Sequence, residues 1–280
     1  MTDSWWNQLG RAHQWAIGVG GFIVCSLLVL AIGASWIAPY GLDEVDPSAA
    51  LMGPSAEHLL GTDEDGADLL SVLIYGSRVA VIVGFGTVLL SVIIGFFVGC
   101  ISGYVGGWVD EALMRFLEVL LSFPGILLAI FIIFITQEPS EWTVILALSV
   151  TGWAGYARLV RGQVLTVRQN EYVTAAESIG ASSVRVMMVH LAPNILGPVV
   201  VQATFGVAGA ILAEASLSFL GLGPQGTASW GGILDQGAVL FIKTPHIGLA
   251  AGLAIFFTIT GIHLLGDALR DILDPRMNES

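Results

Sequence analysis

The sequence predicts an all-α membrane protein of six transmembrane helices with both termini on the cytoplasmic side, and three observations carry that expectation. Of its 280 residues, 55% are hydrophobic and only 11% charged, with a mean hydropathy of +0.82, a balance suited to lipid rather than water. Six apolar runs reach the length of about 20 residues that a helix needs to cross the hydrocarbon core. The basic residues are also one-sided. Arg11, Arg115, Arg158, Arg161, Arg168, Arg185, Arg270 and Arg276 flank one side of those runs, whereas only Arg78 and Lys243 flank the other, and the arginine-rich side is the cytoplasmic one.

Residues 1–14 form the expected cytoplasmic N-terminus, and 15–38 (Trp15–Ala38) the first span. The uncharged run from His13 to Tyr40 is too long for a signal-peptide core and reads as an uncleaved anchor. Residues 39–78 form an extracellular or periplasmic loop with eight acids between Asp43 and Asp68, so the net charge of −12 is concentrated in a loop. Such a loop is either a solvated surface or a contact that partly covers an outer opening. Asp63, Asp65, Gly66 and Asp68 miss the spacing of a calcium-binding loop.

A five-helix core follows over 79–266. Its first span, Val79–Gly103, carries Gly95, Gly99 and Gly103, continued by Gly107. This four-residue ladder lets two helix backbones approach closely, either within the chain or against a partner subunit. The next span, Ala112–Ile135, contains Pro124 and should kink there; Arg115 and Glu118 pair locally near its start. Ser140 is placed to cap the span Trp142–Arg161. The fifth span, Ile195–Leu220, holds Glu214 near its outer end with Ser218 one turn on. An intramembrane acid needs either a hydrogen-bond partner on a neighbouring helix or a place beside a transport path. The last span is Ile247–Leu265, with His263 as an interfacial side chain and 267–280 as a cytoplasmic C-terminus. Trp5, Trp6, Trp15, Trp36, Tyr40, Trp108, Trp142 and Trp230 fall near predicted span ends, where amphipathic rings favour the headgroup layer.

Other functions are disfavoured by the same composition. A negative chain without a basic face does not suit nucleic acid. Cys25 and Cys100 lie within apolar runs without metal-ligand spacing, so neither a bound metal nor a redox site is expected. No Gly-Lys-Ser/Thr phosphate loop is present, since the only lysine, Lys243, follows Ile242 in a predicted outer loop. Any ATP-driven step would therefore belong to another polypeptide.

The cytoplasmic loop 162–194 is too long to be a plain connection. Asn170 is placed to cap a helix from Glu171 to Ile179, Gly180 to end it in a left-handed conformation, and Ser182 or Ser183 to cap a second helix that stops before Pro193. On the first helix Tyr172, Ala175, Ala176 and Ile179 share one face, with Glu171, Thr174, Glu177 and Ser178 largely opposite. Nine residues are too few for an isolated helix in water. It must dock, either on its own bundle or in a partner groove.

The run from Asn170 through Glu171, Tyr172, Val173, Thr174, Ala175, Ala176, Glu177, Ser178, Ile179 and Gly180 to Ser182, followed by His190-Leu191-Ala192-Pro193-Asn194, resembles the cytoplasmic signature loop of ABC importer permeases. Thr174 stands where that family usually has Glu, and Ala192 where it usually has Leu. The likeness extends over most of the chain and narrows to the C-type subunits of dipeptide, oligopeptide and nickel permeases. Leu60-Gly61-Thr62-Asp63 with Gly66, Asp68 and Ser71 resembles their first outer loop, and Gly152-Trp153 to Arg161 the end of their fourth span. Ala213-Glu214 to Gly223 and Gly266-Asp267 to Asp274-Pro275 resemble their last two segments. Ala67 departs from the usual Arg.

The resemblance implies the type I ABC importer permease architecture in a prokaryotic plasma (inner) membrane. It implies a heterodimer with a second permease subunit, one or two cytoplasmic ABC ATPase subunits that bind ATP and Mg, an extracellular or periplasmic substrate-binding protein, and a peptide as substrate. Glu171, Tyr172, Thr174, Ala175, Ala176, Glu177, Ser178, Gly180 and Pro193 would then couple ATPase closure to alternating access, with Glu214 and Ser218 as candidates for the translocation path. A nickel importer is the alternative within that class. An ion-coupled secondary transporter is the alternative outside it, and Glu214 alone supports it thinly.

Overall fold

The computed structural model describes residues 11–273 apart from Glu138. Trp5, Trp6, the segment before Arg11, and Asp274, Pro275 and Arg276 lie outside the described residues. Helix α1 covers Arg11–Ile37, α2 Leu69–Val105, α3 Gly107–Leu121, α4 Gly125–Thr136 and α5 Glu141–Val167. Next come the short α6, Glu171–Ser178, and α7, Ser183–Arg185; the chain ends with α8, Ala192–Phe219, α9, Trp230–Val239, and α10, Pro245–Leu273. Among the described residues, helices α1, α2, α5, α10 and the continuous Ser183–Phe219 unit are each long and apolar enough to cross a membrane, and the bent pair α3–α4 reaches that length and apolarity only when its two helices are taken together. The protein is a multi-pass membrane protein.

The bend between α3 and α4 is 78°, a break rather than the kink expected at Pro124. Proline lacks the N–H that would continue the ladder and drives the preceding residue out of the helical region, so the chain restarts with Pro124 as the N-cap of α4. With 12 residues, α4 reaches only about 18 Å and cannot cross alone.

Helices α2 and α5 make the most extensive pairing in the bundle, and the glycine ladder permits it. A Cβ on Gly95 would stand 2.6 Å from the Tyr156 Cβ, one on Gly99 2.7 Å from the Val160 Cβ, and one on Gly103 2.9 Å from the Val164 Cβ. The ladder is thus a seam within the chain. Gly107 does not extend it, because α2 ends at Val105 and Gly106 and Gly107 turn the chain with φ of 69° and 56°. Without hydrophobic drive between helices in lipid, this close backbone approach is what supplies dispersion contact.

Several elements differ from the sequence reading. Helix α2 begins at Leu69 and not at Val79, inside the segment read as loop, because Asp68 caps it there. Helix α10 runs on to Leu273, past the expected end at Leu265. Helix α5 runs to Val167 rather than stopping at Arg161, because Val160 and Val164 still pack on α2 beyond the point where polar residues appear. The second loop helix does not stop before Pro193. A wider π-helical turn over Val186–Leu191, in which the Ala192 N–H donates to the Met187 carbonyl, absorbs the proline and feeds directly into α8. Helix α9 was not expected at all. It is held by Trp230, which is 5% exposed and donates from Nε1 to the Leu73 carbonyl at 2.9 Å. Trp230 is therefore a core residue and not a headgroup anchor, unlike the exposed Trp15, Trp36, Trp108 and Trp142.

The acidic loop is knitted, not loose. Asp68 caps α2 by accepting from the Ser71 N–H at 2.9 Å, His58 Nδ1 lies 3.0 Å from the same carboxylate, and the Tyr40 N–H donates to Ser71 Oγ at 3.0 Å. Buried Thr62 donates its hydroxyl to the Ala49 carbonyl. Asp63 Oδ1 accepts from the Ala67 and Asp65 N–H groups at 2.8 and 3.0 Å, and Gly61 and Gly66 turn the chain at φ of 84° and 88°. Asp63 is thus committed to the turn, and its burial pushes its carboxyl above the usual carboxylate range.

Candidate functional site

Helix α6 sits at the end of the bundle where α2 and α3 meet. Its N-cap is Asn170, whose side chain makes no capping bond; the Asn170 carbonyl accepts from Val173 at 3.0 Å instead. Its C-terminus is a complete Schellman closure: Ala181 N–H donates to the Ala176 carbonyl at 3.1 Å, and Gly180 N–H to Glu177 at 3.0 Å, with Gly180 at φ 88°. The helix ends at Ser178, one residue earlier than expected.

Burial along α6 separates two faces. Val173 is buried in a cluster with Val160, Val164, Val186, Leu191 and Ile195, and Ala176 is buried as well, whereas Tyr172, Ala175 and Ile179 stay uncovered, Ile179 at 87% exposure. The docked face is therefore Val173–Ala176, and grouping Ala176 with Tyr172 and Ile179 is corrected. Val173 sits three residues before Ala176 and shares its side of the helix. Glu171, Thr174, Glu177 and Ser178 are exposed, and Ser178 donates back to the Thr174 carbonyl at 2.8 Å.

Polar clamps fix the helix to the bundle. The Tyr104 hydroxyl at the end of α2 donates to Glu177 Oε1 at 3.0 Å, while Arg168, just past α5, donates to the Tyr104 carbonyl at 2.7 Å and stacks over its ring at 5.1 Å. Beside it, Arg161 grips Asp110 of α3 through two bonds of 2.5 and 2.6 Å, and Ser102 donates to the same carboxylate at 2.5 Å. This fork joins α2, α3 and α5 next to the Gly106–Gly107 turn. Sequence reasoning missed it, because Asp110 and Arg161 are 51 residues apart. Arg115 and Glu118 form the expected local pair at 3.2 Å, both exposed. Pro193 lies in the first turn of α8.

The expected path residues separate. Glu214 is 2% exposed and accepts from Ser218 Oγ at 2.6 Å on its own helix, not from a neighbouring one. Ser218 lines a cleft of about 490 Å³ between the acidic loop and the segment 221–229; Glu214 does not. A second cavity, of about 330 Å³, lies mid-bundle among α2, α4, α5 and α8. His263 packs its ring on Phe205 at 5.3 Å.

Residues 91–279 match the family of binding-protein-dependent transport system inner membrane components. The chain belongs to this family. The match takes in α6, the Asp110–Arg161 fork and the α8 cavity wall. Among similar proteins, the dipeptide transport system permease protein DppC of Alkalihalophilus pseudofirmus is 39% identical over 260 residues, covering 92% of this chain and 85% of the relative. DppC of Bacillus subtilis is 38% identical, covering 99% of this chain and 86% of its own length. The glutathione transport system permease protein GsiD of Shigella dysenteriae is also 38% identical, over 97% and 89%. As an inner membrane component of a binding-protein-dependent system, this chain is the membrane subunit of a transporter in the plasma membrane.

Proposed function

We propose that this chain is one permease subunit of an ATP-driven importer of di- and oligopeptides, and that it carries no ATPase site. Its relatives are dipeptide and glutathione permeases, and no phosphate loop occurs in its sequence. The supporting observation is the divided α6. Val173 and Ala176 anchor it to its own bundle, while Tyr172, Ala175 and Ile179 form a small apolar face left uncovered. An ATPase groove is the occupant proposed for that face, on the side where Arg115, Arg158, Arg168 and Arg185 gather, which is thereby the cytoplasmic side. A second permease subunit completes the pore as a heterodimer, one or two ATPase subunits bind ATP and Mg, and a substrate-binding protein delivers peptide from outside.

In this reading α6 transmits force in two directions. Push on its free face passes through the Tyr104–Glu177 and Arg168–Tyr104 bonds to α2 and α5, and through the π-helical turn to α8. Closure of the ATPase thereby rocks the bundle between its two openings. A photo-crosslinking amino acid at Ile179, activated in native membranes, tests this directly. The expected adduct joins this chain to a polypeptide carrying a phosphate-loop motif; crosslinks confined to lipid and to this chain would contradict the assignment.

A further inference from the structure

The mid-bundle cavity is polar in an unusual way. Several hydroxyls on the long helices satisfy themselves by bonding back one turn to a carbonyl, Ser77 to Ile74, Thr204 to Val200 and Ser216 to Leu212, while Ser218 donates to the Glu214 carboxylate. Thr87 and Ser91 on α2 do not. They are 5% and 1% exposed, their hydroxyl oxygens have no hydrogen-bond partner among the described residues, and both line this cavity. Leaving such a group unpaired in a low-dielectric interior costs on the order of 1–3 kcal/mol, so their orientation needs a compensating partner.

The rest of the wall is suited to supply a ligand to them. Thr151 of α5 and Gln202 of α8 line the same space, and the Tyr156 hydroxyl stands where a Cβ on Gly206 would lie. Gln202 is exposed on a membrane helix, about a third of the way along α8, where a carboxamide facing lipid would be costly. None of the residues lining the cavity carries a charge. Hydroxyls and a carboxamide each both donate and accept, which matches the donor and acceptor that an amide carries together. The volume of about 330 Å³ falls within the range of small-molecule sites.

We infer that Thr87, Ser91, Thr151, Tyr156 and Gln202 form a charge-free hydrogen-bonding subsite for the amide backbone of a peptide in transit. This rests on the proposed peptide-import function. A neutral wall recognises what all peptides share and ignores their side chains, and it holds no charge that would trap a charged terminus during passage.

The test uses the complete transporter in proteoliposomes with its binding protein saturated, comparing initial uptake of a dipeptide and of its backbone N-methylated analogue. The native complex should prefer the unmethylated dipeptide, and Gln202→Leu and Ser91→Ala should each reduce that preference by about threefold to tenfold, the loss of one hydrogen bond. A Gln202→Cys variant lacking Cys25 and Cys100 should be modified by a charged thiol reagent, and dipeptide under turnover should slow that modification. Since Gln202 is exposed, this variant does not depend on refilling the core. Unchanged preference in both substitutions, or thiol modification indifferent to dipeptide, overturns the subsite while leaving peptide import intact. Failure of the native complex to take up either dipeptide overturns the import reading and the subsite with it.

Discussion

Replacing Gly180 isolates backbone conformation from packing at the end of α6. Its φ is 88°, and a Cβ built there meets nothing within 4 Å, so a side chain brings strain without a clash. Holding a non-glycine residue in that region costs about 1–3 kcal/mol, most for a β-branched one. The strain falls on a helix of eight residues that cannot persist without its docking and its Schellman closure. Opening of the α6 C-terminus should therefore become about 5-fold to 150-fold more frequent in Gly180→Val. Hydrogen exchange of the purified protein in nanodiscs reads this directly, at the Gly180 and Ala181 amides that make the closing bonds. Exchange there should accelerate by that factor while the α2–α5 seam stays protected. In the assembled transporter the same variant should hydrolyse more ATP per solute moved. Gly180→Asn should fall nearer the native protein than Gly180→Ala, because Asn tolerates positive φ. Equal exchange in the valine and asparagine variants would refute the conformational argument.

Other perturbations probe the framework around that helix. Gly99→Val would place its Cβ 2.5 Å from the Ala157 carbonyl oxygen and 2.7 Å from the Val160 Cβ, so thermal unfolding in detergent should show a loss of about 1–3 kcal/mol, against little for the exposed Gly162→Ala, whose Cβ meets nothing. Arg161→Lys keeps the charge but cannot hold both Asp110 oxygens, and should lose about 1 kcal/mol after allowing for solvent screening at a partly exposed site, with Arg161→Ala losing more. Asp63 has its pKa raised by burial, so the folded loop binds that proton more tightly than the unfolded chain does. Its contribution to folding is full below the ordinary carboxylate range and is lost as pH rises through the raised value. Asp63→Asn retains the Oδ1 acceptor and removes this dependence, so its unfolding temperature at neutral pH should equal or exceed that of the native protein, and a lower one would count against the buried-charge argument.

Much of the fold was legible because lipid simplifies the code. Apolar runs located the crossings, and Gly95, Gly99 and Gly103 announced a close seam whose partner, α5, only the structure identifies. Local end signals were also readable, as at Ser140, which accepts from Thr143 at 3.2 Å, and Gly180. What failed were features decided by tertiary contact. The polar residues after Arg161 conceal a helix that continues because its buried stripe still finds α2. Pro193 reads as a stop, yet a π-helical turn absorbs it. Trp230 resembles an interfacial anchor in sequence, but the Leu73 carbonyl holds its indole N–H within the bundle. On α6, helical spacing found the helix and put Ala176 on a face with Tyr172, Ala175 and Ile179, whereas the docked pair is Val173 with Ala176. The Asp110–Arg161 fork and the cavity hydroxyls of Thr87 and Ser91 depend on long-range placement and leave no local signal.

The central claim is that the chain moves peptides only when a separate ATPase drives it. Uptake of a labelled dipeptide into proteoliposomes holding the purified complex, with binding protein outside and ATP within, tests it most directly. Uptake should require both, cease on ATP depletion and survive an uncoupler. Uptake that continues without ATP and collapses with the uncoupler would contradict the account.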